Sequence, residues 1–177
     1  EVVTELERFS ATAPLKIETI DPSEILERAQ KLLGRRLKGA KLRVRNDMDE
    51  PAPKVLADAP RLVEIFVNLL RNARNAILRR FEGADPEASA AMKRLVVVQA
   101  FVRDAYVALV FTNNGVPVPQ ADHERIFLPS FQARDPERSG LGLPETAALI
   151  KQMGGAIRCE PLGEQGTRFI LTLPKAS

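Results

Sequence analysis

The 177-residue sequence contains no tryptophan, and cysteine, tyrosine and histidine each occur once; aromatic residues make up only 5% of it. With Cys159 alone, an intrachain disulfide and a cysteine-based zinc site are both excluded, which points to a reducing, cytoplasmic setting. No stretch approaches the roughly 18 consecutive apolar residues that a membrane-spanning helix requires, and no signal-peptide pattern is present. An excess of charge of one sign is also missing. Lys and Arg number 26 against 23 Asp and Glu, interleaved to a formal net charge of +3, which is too balanced to indicate nucleic-acid binding. The densest basic segment, residues 35–45, reads as solvated surface. Internal repeats and low-complexity tracts are absent.

What is present is enough for one core: 45% of the residues are hydrophobic, so one globular domain with short extensions is expected. The sequence opens mid-helix, at EVVTELERFS, without an initiator Met, as a piece of a longer protein would, and other parts of such a protein could include a membrane anchor. Residues 1–11 read as a helix tail closed before Pro14. A short strand at 16–20 leads to Asp21-Pro22-Ser23-Glu24, a helix start whose helix is expected to stop near Leu33 at Gly34. Strands are expected at 42–45 and 54–57, and Asp58 suits a helix cap. From 60 to 80, Leu62, Ile65, Phe66, Leu69, Leu70, Ala73 and Ile77 recur at helical steps and form one broad apolar face. Residues 81–91 read as a loop, 95–102 and 106–112 as a hairpin, 121–126 as a short helical segment, and 128–139 as irregular. A helix from Gly140-Leu-Gly-Leu-Pro to Met153 and strands at 156–160 and 167–173 complete the chain. This order gives an α+β fold, a mixed and mostly antiparallel sheet with helices covering one face.

Three stretches carry chemistry. Asn68 and Asn72 lie four residues apart on the long helix and share one face. A buried amide without a partner costs about 1–3 kcal/mol, so the two need hydrogen bonds or solvent, and an amide oxygen is also a hard neutral ligand suited to Mg²⁺. In FTNNGVPVP, residues 111–119, the amides and Gly115 allow a tight turn directly after a strand. In SGLGLP, residues 139–144, paired glycines before a helix allow a backbone to approach a phosphate at the positive end of the helix dipole, although a plain loop-to-helix junction uses the same residues.

In this order the stretches resemble the catalytic, ATP-binding domain of bacterial sensor histidine kinases, within the superfamily shared with gyrase, the Hsp90 chaperones and MutL. The resemblance covers nearly the whole chain: NLLRNARNAI resembles the N box, NNGVPVP the G1 box, RIFLPSF the F box and SGLGLPETAALIKQMGG the G2 box, with GTRFILTLP as the usual last strand. It implies the Bergerat ATP-binding fold, a two-layer α/β sandwich, over residues 15–177, with residues 1–13 as the tail of the dimerisation and phosphoacceptor helix of a homodimeric protein. ATP and Mg²⁺ are the implied ligands. Asn72 would ligate the metal, with Asn68 facing the same site; Asn113 would accept from the adenine amino group, and Gly115 would let the backbone pass the base. Phe127 and Phe131 would anchor the ATP lid, and Gly140, Leu141, Gly142 and Leu143 would lie along the phosphates. Arg134 stands where a basic residue reaches the γ-phosphate or stays in solvent. The implied reaction is in-line phosphoryl transfer to a histidine nitrogen, with a response regulator as the indirect partner. His123 lacks the acidic neighbour of a phosphoacceptor and reads as a surface histidine, so the acceptor is expected on a segment outside this chain.

The pattern departs from the family at Asn113, where an Asp is usual, at Pro117 in place of the second Gly, and at Ser130 in place of the first Phe of the F-box pair. A charge-assisted hydrogen bond is roughly twice as strong as a neutral one, so Asn113 points to weakened ATP binding. Rival readings are an ATPase of the same superfamily, whose activating Glu would stand at Asn68, a serine kinase of the anti-sigma type, and a degenerate domain that signals without catalysis.

Overall fold

The computed structural model describes residues 13–129 and 142–177. Its elements are β1 (Glu18–Ile20), α1 (Pro22–Gly39), β2 (Arg43–Asn46), β3 (Val55–Ala57), α2 (Ala59–Phe81), α3 (Pro86–Ala91), β4 (Leu95–Arg103), β5 (Tyr106–Asn113), two single 3₁₀ turns (Gln120–Asp122 and Arg125–Phe127), α4 (Leu143–Gln152), β6 (Ala156–Pro161) and β7 (Thr167–Pro174). Five strands form the main sheet in the order β2-β4-β5-β7-β6, and β1 pairs with β3 in a separate two-stranded sheet. Only β2 and β4 run parallel; the other pairs are antiparallel. The expected mixed, mostly antiparallel sheet is therefore present.

Alternation along the strands decides which face is covered. Val96, Val98, Val107, Leu109, Phe111, Phe169, Leu171 and Leu173 enter one core with the apolar faces of α1, α2 and α4. Ala108, Val110 and Ile170, on the opposite side of the same strands, form a small separate cluster. Phe66 of α2 meets Phe111 of β5 edge-on, with ring centroids 4.9 Å apart, the geometry that aromatic quadrupoles favour. This contact joins α2 to the central strand of the sheet.

Helix starts follow the expected chemistry. Asp21 accepts from the Ser23 N–H at 2.8 Å, and Asp58 accepts from the Arg61 N–H at 3.2 Å. Asp58 has further work: its other oxygen takes the Lys16 N–H at 2.9 Å and the buried Arg61 guanidinium at 3.1 Å. Arg61 in turn donates to the Ala13 carbonyl, so the segment entering the domain is fastened to the start of α2.

Two boundaries differ from the sequence reading. α1 does not stop at Gly34 but continues to Gly39, because Leu37 packs into the core one turn beyond Leu33. That burial outweighs the roughly 0.5–1 kcal/mol that a helical glycine costs. Residues 81–91 are not all loop: Asp85 accepts from the Glu87 N–H at 3.3 Å and Pro86 opens the short α3. Since nothing lies within 4 Å of where a Cβ of Gly34 would stand, Gly34→Ala is expected to stabilise the fold by about 0.5–1 kcal/mol. Urea unfolding of the two proteins measures it, and an unchanged or lower midpoint would mean that α1 is strained at this position.

Candidate functional site

One side of α2 faces the core; its other stripe, with Asn68, Asn72 and Ala76, meets two loops. The first is the turn that leaves β5. The Asn113 side-chain oxygen accepts from the Gly115 N–H at 3.0 Å, and the Val116 N–H donates to the Ala76 carbonyl at 2.9 Å. Gly115 lies so close to α2 that a Cβ there would stand 2.4 Å from the Ala76 carbonyl carbon and 2.5 Å from the Ile77 nitrogen. Arg80, one turn further along α2, donates to the carbonyls of Asn114 and Gly115 at 3.1 and 3.2 Å. The Asn114 side chain spans back to β4, accepting from the Leu95 N–H at 3.0 Å and donating to the Lys93 carbonyl.

The second loop ends at Gly142, in left-handed conformation with φ 71°, just before α4. A Cβ on Gly142 would stand 2.6 Å from Asn68 Nδ2, so the Asn68 amide packs directly on this glycine. The same nitrogen donates to Thr146 Oγ1 at 3.4 Å, and the Thr146 N–H closes the first turn of α4 on the Gly142 carbonyl at 2.7 Å. Leu143 packs against the core. Asn72, one turn beyond Asn68, is buried, and among the described residues both its amide oxygen and its amide nitrogen lack a hydrogen-bond partner. Buried polar groups are otherwise nearly always hydrogen-bonded, so this amide stands out.

The structure thus gathers Asn68, Asn72, Asn113, Gly115, Gly142 and Leu143 around one stripe of α2. Phe127 stands at the rim, edge-on to Phe169 of β7 with centroids 6.3 Å apart. Phe131, Arg134, Gly140 and Leu141 lie outside the described residues. Several contributors were not singled out from the sequence. Gly166, with φ 133°, has no room for a side chain, because a Cβ would fall 1.9 Å from the Asn113 carbonyl oxygen. The buried Thr167 accepts from the Val118 N–H at 3.1 Å. His123 is half-buried rather than free on the surface, with Nε2 2.8 Å from the Val118 carbonyl. A Gly-Thr pair at the start of a strand was the available signal for the first two.

The sequence model of the family described as "Histidine kinase-, DNA gyrase B-, and HSP90-like ATPase" matches residues 57–177, and the chain belongs to this family. It is 27% identical to the sensor histidine kinase ZraS of Escherichia coli O157:H7 over 98% of this chain and 35% of that protein. It is 31% identical to the two-component sensor PprA of Pseudomonas aeruginosa over 99% of this chain and 18% of that protein. Its fold matches that of full-length ShkA in complex with AMPPNP, with a TM-score of 0.75 and 24% identity over 93% of this chain and 32% of that one. The chain spans about a third or less of each. Family, relatives and fold agree on an ATP-binding catalytic domain of the sensor-histidine-kinase type.

The close approach of Gly115 to α2 gives a direct test of the site's architecture. Gly115→Ala places a methyl group against helix backbone, and overpacking of this kind costs about 1–3 kcal/mol. The expected outcome is a lower thermal midpoint together with faster amide exchange at Val116, whose N–H bonds Ala76. A variant with unchanged midpoint and protection would show that the turn stands off the helix in solution.

Proposed function

We propose that this chain binds Mg-ATP between α2, the turn at Asn113–Gly115 and the start of α4, and transfers the γ-phosphoryl group to a histidine on an upstream segment of the same protein. The observation that carries this reading is Asn72: a buried amide with both polar atoms unpartnered, on the polar stripe of a helix whose other face fills the core. Its oxygen fits Mg²⁺, which takes few protein ligands and shares the rest of its shell with water and substrate phosphates. When bound, that ion supplies charge neutralisation between the phosphates.

The chain's own residues then position and orient. Asn113 donates no charge; its oxygen already accepts from Gly115 and keeps a second lone pair for the adenine amino group. Gly115, with no side chain to meet α2, lets the turn lie against the helix and its backbone pass the base, and the start of α4 presents the positive end of its dipole to the phosphates. On this reading Phe127 and Phe131 anchor the ATP lid, Arg134 belongs to it, and Gly140 and Leu141 stand at its end. The acceptor nitrogen attacks the γ-phosphorus in line, the N–P bond forms, and the bond to the bridging oxygen breaks as ADP leaves. On this reading residues 1–13 are the C-terminal tail of the dimerisation and phosphoacceptor helix of a homodimer. Catalysis takes place on the cytoplasmic side, and the phosphoryl group passes on to a response regulator.

Against the ATPase alternative stands Asn68. It occupies the place of a water-activating glutamate, yet its amide has no basicity and is engaged with Thr146 and Gly142. Glu64, a turn earlier, is exposed.

Calorimetry with ATP and Mg²⁺ tests the binding. Asn72→Ala is expected to weaken it at least about tenfold while leaving the free domain as stable or up to about 1–3 kcal/mol more stable, since an unsatisfied buried amide is removed. Equal affinity in the variant, or no heat with the parent chain, would leave the non-catalytic reading ahead. Asn113→Asp is expected to raise ATP affinity by roughly five- to tenfold, the gain of a charge-assisted over a neutral hydrogen bond; a loss would assign Asn113 to an amide-specific network instead. Joined to its upstream helices, the chain should yield acid-labile phosphohistidine, whereas steady phosphate release without it would favour an ATPase.

A further inference from the structure

Away from the nucleotide site, a trough of about 700 Å³ runs along the edge strand β2 and under α3. Its lining carries five cationic side chains, Lys41, Arg43, Arg45, Lys93 and Arg94, and no acidic one. The formal net charge of the whole chain is only +3, so a lining of five cations without a carboxylate departs from the interleaved charge of the chain as a whole. Two stretches far apart in sequence meet there. Lys41 is held in left-handed conformation at φ 54°, at the turn between α1 and β2. Arg94, at the entrance to β4, is fixed by donating to the Ala40 carbonyl at 2.8 Å and by lying 4.7 Å above the Phe81 ring.

Some surface cations elsewhere have carboxylate partners: Lys16 with Glu18, Lys31 with Glu27, Arg125 with Asp122, and both Arg158 and Arg168 with Glu160. Within the trough Arg45 alone has one, Asp47 at 2.9 Å, and Lys41, Arg43 and Lys93 make no ion pair among the described residues. A charged guard against edge-to-edge pairing would need cations only on the edge strand, yet Lys93 and Arg94 stand in the connection between α3 and β4. Beside these charges the lining is apolar, with Leu95, Ala90 and Ala91, and with Met92 44% exposed.

We propose that this trough is a docking surface for an acidic, amphipathic segment of a partner protein, whose carboxylates pair with Lys41, Arg43 and Lys93 while an apolar side chain covers Met92. Charge complementarity selects the sign of the occupant, and the apolar lining selects a polypeptide over a bare polyanion, because phosphates gain nothing from Met92 and Leu95.

The test uses fluorescence anisotropy with a short labelled peptide of alternating Glu and Leu at physiological salt. The triple charge reversal Lys41→Glu, Arg43→Glu, Lys93→Glu is expected to weaken binding at least about tenfold, the scale of lost close charge pairs at an interface. Met92→Ser should weaken it a few-fold, and Lys151→Glu, on α4, should leave it unchanged. Circular dichroism and the thermal midpoint establish that the variants fold, and retained Mg-ATP affinity in the triple variant separates this surface from the nucleotide site. Unchanged peptide binding in the folded triple variant would overturn the proposal. So would equal binding of a Glu-Ser peptide, or equally tight binding of a DNA oligonucleotide of matched charge, since either result would reduce the trough to a general anion attractor.

Discussion

The approach of Gly115 to the backbone of α2 is the constraint on which the rest of the site depends. At this point a turn from the sheet lies against a helix with no side chain between them, and the Val116 N–H bonds a helix carbonyl. The two elements can meet so closely only if α2 holds a fixed register over β5. Phe66 against Phe111 supplies that register, and Ile77, fully buried beside the contact, prevents the helix from rolling. The hydrophobic periodicity of α2 therefore reaches the functional site through two steps: it selects the buried face, and the buried face places Asn68 and Asn72 on the stripe that the turn and α4 enclose.

The same helix carries a cost and the means to offset it. Asn72 is buried without partners, an expense of about 1–3 kcal/mol. Ile65, Phe66, Leu69, Leu70 and Ile77 are essentially inaccessible to solvent, and full burial of each such side chain is worth about 1.5–3 kcal/mol. A helix with that apolar face tolerates one unsatisfied amide, which a marginal helix would not. Local rules of this kind are broken at functional sites and compensated elsewhere.

Much of this was legible in the sequence where the signal was local. The span of α2, its Asp58 cap and the spacing of its two asparagines follow from periodicity and capping chemistry, and the turn at Asn113–Gly115 follows from its residue types. What could not be read depends on distant partners. Thr146 matters because it meets Asn68 across 78 positions, and Arg80 because it holds the turn across 34. α1 passes Gly34 because of where Leu37 lands in the core, which no window centred on the glycine contains. The charged residues of the basic segment at 35–45 are exposed, as their types indicate; what a local reading does not contain is that Lys93 and Arg94, from the connection before β4, lie beside them.

Asn68 shows how one position separates two chemistries on one fold. A base that activates water must present a free proton-accepting atom to the reacting group. Here the side chain is an amide, its nitrogen donates to Thr146, and it rests against Gly142, where a side chain would leave it no room. Asn68 is thereby a strut between α2 and α4, and it keeps the start of α4 at a set distance from Asn72. On the proposed reading the strut serves transfer better than a base would. A histidine nitrogen brings its own lone pair to the γ-phosphorus and needs positioning rather than deprotonation, whereas water, left without a base, competes poorly for the same phosphoryl group.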